Sequence, residues 1–130
     1  MSNTSKPSAR LRIRAGRTEL EVVLDDTPTV AALLASLPFE SSAQTWGEEV
    51  YFDAPISVDL EPHARQIVEP GTVCFWVEGS ALALPFGPTP ISTDGRPKLA
   101  SRCNVLGRIL GDARELAKVR PGDKVRVEAA

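Results

Sequence analysis

Two short runs near the start of the chain alternate so strictly that they leave little choice of local structure. Arg10-Leu11-Arg12-Ile13-Arg14 and Glu19-Leu20-Glu21-Val22 set charged and aliphatic side chains in turn, the period of a strand with one wet and one buried face. Ala15-Gly16 lies between them and carries the glycine that a tight hairpin requires. With those two residues as the loop, Arg12 faces Glu19, Arg10 faces Glu21 and Leu11 faces Leu20. A slip of one residue would set arginines against leucines, so the pattern specifies parity. Each cross-strand ion pair is worth about 0.2–1 kcal/mol, enough to bias register and too little to hold a fold. The inner face needs an apolar partner from the rest of the chain.

The next elements supply one. A helix is expected over Pro28–Leu37. Thr27 can cap it, Pro28 suits its first position, and Asp25 and Asp26 sit near the positive end of its dipole. Val30, Leu33, Leu34 and Leu37 make one apolar stripe, and Pro38 stops the helix. Strand-like runs follow at 50–52, 72–77, 81–86, 104–110 and 124–127, with Gly79-Ser80 turning the second of these into the third. Pro85, Pro88, Pro90 and Pro97 mark a loop too interrupted to be a central strand. Asp112 with Glu115 reads as a capping box for a second short helix, Ala113–Val119, and Pro121-Gly122 as a turn. Neither a repeat nor a second domain is visible. The expectation is a mainly β fold, a barrel or sandwich with two short helices. It occupies residues 10–130, behind a polar, disordered tail at 1–9.

Composition then narrows the function classes. A chain of 130 residues that is 42% hydrophobic and 25% charged is an ordinary globular domain with a real core. Its net charge of −2 argues against nucleic acid or an anionic membrane as partner. No apolar run approaches the ~20 residues that span a bilayer, and the first residues lack a secretory stretch. A cytoplasmic location is expected. Cys74 and Cys103 fall in apolar segments with neither pairing nor metal-type spacing, and His63 is the sole histidine. No metal and no cofactor are expected on that inventory. Charge is segregated: ten acidic residues and no lysine or arginine lie between Thr18 and Ala64, against nine basic and three acidic residues from Arg96 to Arg126. Neighbouring strands with complementary outer faces explain this, and so does a bipolar surface that docks a protein partner or a second copy.

Four clusters carry a resemblance. They are Thr45-Trp46-Gly47-Glu48-Glu49-Val50-Tyr51-Phe52, Glu69-Pro70-Gly71-Thr72-Val73-Cys74-Phe75-Trp76, Phe86-Gly87-Pro88-Thr89-Pro90 and Asn104-Val105-Leu106-Gly107-Arg108-Ile109. In this order and spacing the chain resembles a small prokaryotic cyclophilin-like family, an atypical branch of the cyclophilin fold without an assigned activity. The likeness runs from Leu11 to Glu128. It implies a closed β-barrel of about eight strands with a helix at each open end. It also implies a more distant kinship with prolyl isomerases, whose late Phe-Gly-x-Val-x-x-Gly segment resembles Val105 to Gly111. True cyclophilins carry their catalytic arginine in a Phe-His-Arg segment followed by Phe-Met-x-Gln-Gly-Gly. In the comparable place this chain has Gly47-Glu48-Glu49-Val50-Tyr51-Phe52. Favouring a twisted prolyl amide over its planar form needs a donor, and two carboxylates oppose that task.

The candidate residues follow from both readings. Trp46, Trp76 and Phe86 are pocket candidates, each weighed against packing in the core. Trp46 follows a polar loop and Phe86 opens the Gly87-Pro88-Thr89-Pro90 segment, so they are expected to converge on one concave patch at the barrel mouth, with Thr45, Tyr51 and Asn104 contributing. Glu48 and Glu49 are adjacent, so on a strand they point to opposite faces and only one can reach a pocket. That one, and Arg108 within an apolar strand, are the catalytic candidates. No serine or cysteine triad is supported with His63 in a polar loop. The favoured function is a non-catalytic module binding a small molecule or an extended peptide. The alternatives are a divergent peptidyl-prolyl cis-trans isomerase using Arg108 or a backbone donor, and an interaction subunit of the kind cyclophilin-like barrels form in carboxylase and hydrolase assemblies.

Overall fold

The alternating runs form an antiparallel hairpin, β1 (Ala9–Ala15) and β2 (Thr18–Leu24), in a computed structural model that describes residues 9–130. The expected tail lies outside the described residues except for Ala9, which opens β1. The hairpin turns at Gly16-Arg17 and not at Ala15-Gly16, so the register moves by two: Arg14 faces Glu19, Arg12 faces Glu21 and Ile13 faces Leu20. Gly16 takes φ +59° at the first loop position, where glycine carries no steric cost. The other loop would have opposed Arg14 to Arg17, two like charges. Parity survives because the shift equals the strand period. Arg12–Glu19 (3.5 Å) and Arg10–Glu21 (3.7 Å) still form ion pairs, on the diagonal.

The helix α1 (Pro28–Ala35) begins where its cap chemistry places it, with Thr27 Oγ1 accepting the Val30 N–H at 3.2 Å. It ends two residues short of Leu37, and the Ser36 hydroxyl donates to the Leu33 carbonyl. Val30 and Leu33 enter the core, whereas Leu34 is 37% exposed, so the expected four-residue stripe is narrower. The second helix is a 3-10 turn, Ala113–Lys118. Asp112 accepts the Arg114 N–H at 2.9 Å. Glu115 does not complete the capping box, because its carboxylate is held by Lys118 at 2.8 Å.

The remaining strands are β3 (Phe39–Ser42), β4 (Gln44–Thr45), β5 (Glu49–Asp53), β6 (Arg65–Ile67), β7 (Thr72–Trp76), β8 (Ala81–Pro85), β9 (Lys98–Leu110) and β10 (Lys124–Ala129). They pair antiparallel in the order β3-β10-β1-β2-β9-β7-β8-β5-β4, with β6 on β9. The expectation of a closed barrel of eight strands is corrected twice: the described residues form ten strands, and hydrogen bonds among them do not close the ladder. Its end strands β3 and β4 are joined by Ala43 alone. The backbone N–H and C=O of Ala43 bond to Asp123 and Gly122, in the turn before β10, so they are unavailable for a closing ladder.

One face of this sheet wraps the main core around Ile13, Val22, Phe52, Phe75, Leu82 and Leu106. Leu116 of the 3-10 turn joins it. On β9 the pairing with β7 shifts between Val105 and Gly107, a bulge that puts one extra residue into the strand. It lets both Leu106 and Ile109 face inward although they differ in parity. No helix among the described residues is long and apolar enough to cross a membrane.

Candidate functional site

Because Val50 and Phe52 point into the main core, the intervening residues of β5, Glu49 and Tyr51, must face the other way. The same alternation turns Cys74 and Trp76 of β7 outward, with Cys103 of β9 beside them. There a second, smaller core forms from Val68, Cys74, Ala83, Leu99 and Cys103, flanked by Tyr51 and Trp76. It leaves a pocket of about 280 Å³ lined by Trp46, Glu49, Tyr51, Trp76, Ala83, Leu99, Ala100 and Cys103. This cavity lies on the outer wall of the sheet, not at a barrel mouth.

Its walls are held by local chemistry. Trp46 sits in the turn between β4 and β5, with its N–H on the Glu49 carbonyl at 3.0 Å. The indole of Trp76 lies flat over Gly79, where a Cβ would collide with the ring. Its Nε1–H donates to Ser101 Oγ at 2.9 Å, and Ser101 in turn donates to Glu78 Oε1 at 3.2 Å. Two contacts thus fix that ring before anything binds.

Glu49 is the chemically unusual member. It is 7% exposed, and its Oε1 is buried without a hydrogen-bond partner. Burial disfavours the charged form and pushes the carboxyl from 4.5 up to about 7. The neighbouring thiols are raised as well, Cys103 to about 12 and Cys74 well above its ordinary value, chiefly by burial. Both remain protonated thiols at neutral pH and are poor nucleophiles.

The adjacent carboxylate has a different fate. Glu48 passes over Gly87, where any side chain would strike it, and pairs with Arg114 at 2.8 Å. The Arg114 guanidinium stands 5.4 Å from the Phe86 ring centre, so the group ties the 3-10 turn to β5.

The expected single patch divides. Trp46, Tyr51 and Trp76 share the outer-wall pocket with Glu49, whereas Phe86 belongs to the main core and borders a separate depression with Thr45. The reason is parity: Phe86 continues the inward row of Leu82 and Leu84. Gly87, Pro88, Thr89 and Pro90 brace the β4–β5 turn instead of lining the pocket. The Pro88 carbonyl accepts the Glu48 N–H at 3.0 Å, Thr89 Oγ1 donates to the Lys98 carbonyl at 2.5 Å, and Pro90 packs on Gly47.

Asn104 is fully buried. Its Oδ1 accepts the Glu61 N–H, and its Nδ2 donates to Thr29 Oγ1 and the Asp59 carbonyl, so it ties α1 and the 59–61 loop to β9. Arg108 is exposed on β9, opposite Thr72 and Val23, and lines neither depression. Among the described residues no group of His, Cys, Asp and Glu is arranged to hold a metal ion. Ala83, Leu99, Ala100 and Cys103 were not foreseen as pocket residues. Leu99-Ala100-Ser101-Arg102-Cys103 does not alternate, so it is β9, beginning at Lys98, that sets Leu99 and Cys103 on one face.

The sequence profile of the cyclophilin-like family matches residues 9–128. The chain belongs to the cyclophilin-like family. This cyclophilin-like domain is also similar to the solution structure of a hypothetical protein from Archaeoglobus fulgidus, with 41% identity, a TM-score of 0.81, and 95% of each chain covered. No curated protein matches it. In this member of the family the segment Gly47 to Phe52 turns a carboxylate and a phenol, Glu49 and Tyr51, to the outer wall, and among the described residues no guanidinium lines the pocket with them.

Proposed function

We propose that the domain is a binding module whose outer-wall pocket holds a small molecule or one side chain of an extended peptide. The observation that carries the reading is Glu49: a carboxylate oxygen buried without a partner, in a pocket walled by Trp46, Tyr51 and Trp76. An orphaned buried acceptor costs about 1–3 kcal/mol, and a ligand that supplies the missing donor recovers it. The volume, about 280 Å³, stands at the small end of ligand pockets and suits a single side-chain-sized group. Binding is favoured over turnover because the thiols beside Glu49 are held protonated and no Lys, Arg or His lines the pocket among the described residues.

The chain has two tryptophans, and both line this pocket, so its intrinsic tryptophan fluorescence reports on the site alone. Titration with a small-fragment set and short peptides is expected to give a saturable change that weakens in Trp46→Ala. Binding unaffected by that substitution would move the site elsewhere. A protease-coupled assay on a standard proline peptide is expected to run at the uncatalysed rate. Turnover that vanishes in folded Arg108→Ala would replace this reading with a divergent isomerase.

A further inference from the structure

We infer that the group taken up by the outer-wall pocket is a primary or secondary ammonium on an apolar skeleton, with the Glu49 carboxylate as its counter-ion. This rests on the binding reading above and specifies its ligand. Three features of the pocket select that chemistry. Among the described residues the only carboxyl in the lining is Glu49, and its Oε1 has no donor. The remaining surface is aromatic or aliphatic, from Trp46, Tyr51, Trp76, Leu99 and the alanines, apart from the neutral thiol of Cys103. No cation stands among the described lining residues, so the compensating positive charge has to arrive with the occupant.

A neutral N–H would satisfy the oxygen but leave its charge buried and unbalanced, and an incoming carboxylate would double it. A protonated amine makes a charge-assisted hydrogen bond and presents its cation to ring faces that attract it. A quaternary ammonium has the charge but no N–H, so it leaves Oε1 as it was. The apolar skeleton follows from the rest of the wall, which is mostly ring and aliphatic surface, with the Tyr51 hydroxyl and the Cys103 thiol as its other polar groups.

A pH signature accompanies this chemistry. The groups facing Glu49 are Tyr51 on its own strand, Cys74 from β7 and Cys103 from β9, with Glu78 acting on Cys103 from the β7–β8 turn. Both thiols stay neutral across the physiological range, which leaves Glu49 as the carboxyl that titrates within the pocket. Burial places that titration at about 7. Below that pH an ammonium must displace a proton to bind, so its affinity falls about tenfold per pH unit there.

The test follows the two indole N–H signals by NMR while the full chain is titrated with 2-phenylethylamine, 2-phenylethanol and 3-phenylpropionate, three probes of similar shape and different charge. Tight binding of the amine, at least tenfold over the alcohol and with no response to the acid, supports the inference. So does loss of that preference in Glu49→Gln and a weakening of the amine, but not the alcohol, as the pH is taken from about 8 to about 6. If the alcohol or the acid binds as well as the amine, or if Glu49→Gln keeps the preference, the inference is overturned while the pocket stands as a binding site. If no probe moves either indole at millimolar concentration, the binding reading itself fails.

Discussion

Replacing Glu49 by glutamine keeps the shape of the side chain, removes its charge and changes stability in a pH-dependent way. Burial lifts the carboxyl from 4.5 to about 7, and unfolding returns it to its ordinary range. Between those values the folded state holds a proton that the unfolded state has released, so stability falls as pH rises. The penalty is absent below about pH 4.5, where both states are protonated. It is complete above about pH 7, where the folded state carries an unpaired buried charge. At 1.36 kcal/mol per pH unit the whole span is worth at most about 3 kcal/mol, of which about 1 is present by pH 5. The glutamine amide carries its own burial cost, about 1–3 kcal/mol, but that cost is the same at every pH. Urea unfolding of both proteins at about pH 5 and about pH 8 is therefore expected to show the variant gaining roughly 2 kcal/mol on the native chain between the two conditions. Other titrating groups contribute equally to both and cancel. A difference between the proteins that is identical at the two pH values would refute the reasoning, since the carboxyl would then be as well solvated folded as unfolded.

Two further substitutions test the frame around the site. Gly107→Ala places a Cβ against the Val23 carbonyl of the neighbouring strand. It is expected to cost about 1–3 kcal/mol in chemical denaturation, and a change within about 0.5 kcal/mol would show that the bulge relaxes freely. Asn104→Ala orphans the Glu61 N–H and strips Thr29 and the Asp59 carbonyl of a donor. A loss of about 2–4 kcal/mol is expected, with faster amide exchange at Glu61; a near-neutral variant with unchanged exchange would mean that water replaces the asparagine.

How much of this was legible beforehand depended on how local the deciding physics was. The hairpin, the start of α1 and the turn at Gly79-Ser80 rest on neighbours in sequence: a period of two, a threonine before a proline, a glycine between alternating runs. Even there the hairpin register came out two residues away, because parity constrains pairing only to multiples of two. Which loop wins depends on Gly16 taking positive φ and on keeping Arg14 from Arg17. The strands β3, β4 and β6 are short, and their residues do not alternate cleanly. They become strands because a neighbour offers a ladder, and that neighbour is distant in the chain for β3 on β10 and β6 on β9.

The site divides along the same line. That Glu48 and Glu49 could not share a face followed from the strand period alone, and that the chain is a cyclophilin-like domain was carried by four clusters of residues in order. Which glutamate faces the pocket was decided by tertiary structure: Val50 and Phe52 had to enter the main core, and Glu48 had to pass over Gly87 to be held outside by Arg114. The same holds for Trp46 and Phe86, two aromatics at strand ends that look alike in sequence. One continues an inward row and becomes packing, while the other lies over the outer wall. A sequence states which side chains are apolar and at what period. Only the assembled sheet, with Val68 and Leu99 packed on its outer face, determines that this wall has a core of its own and a carboxylate buried within it.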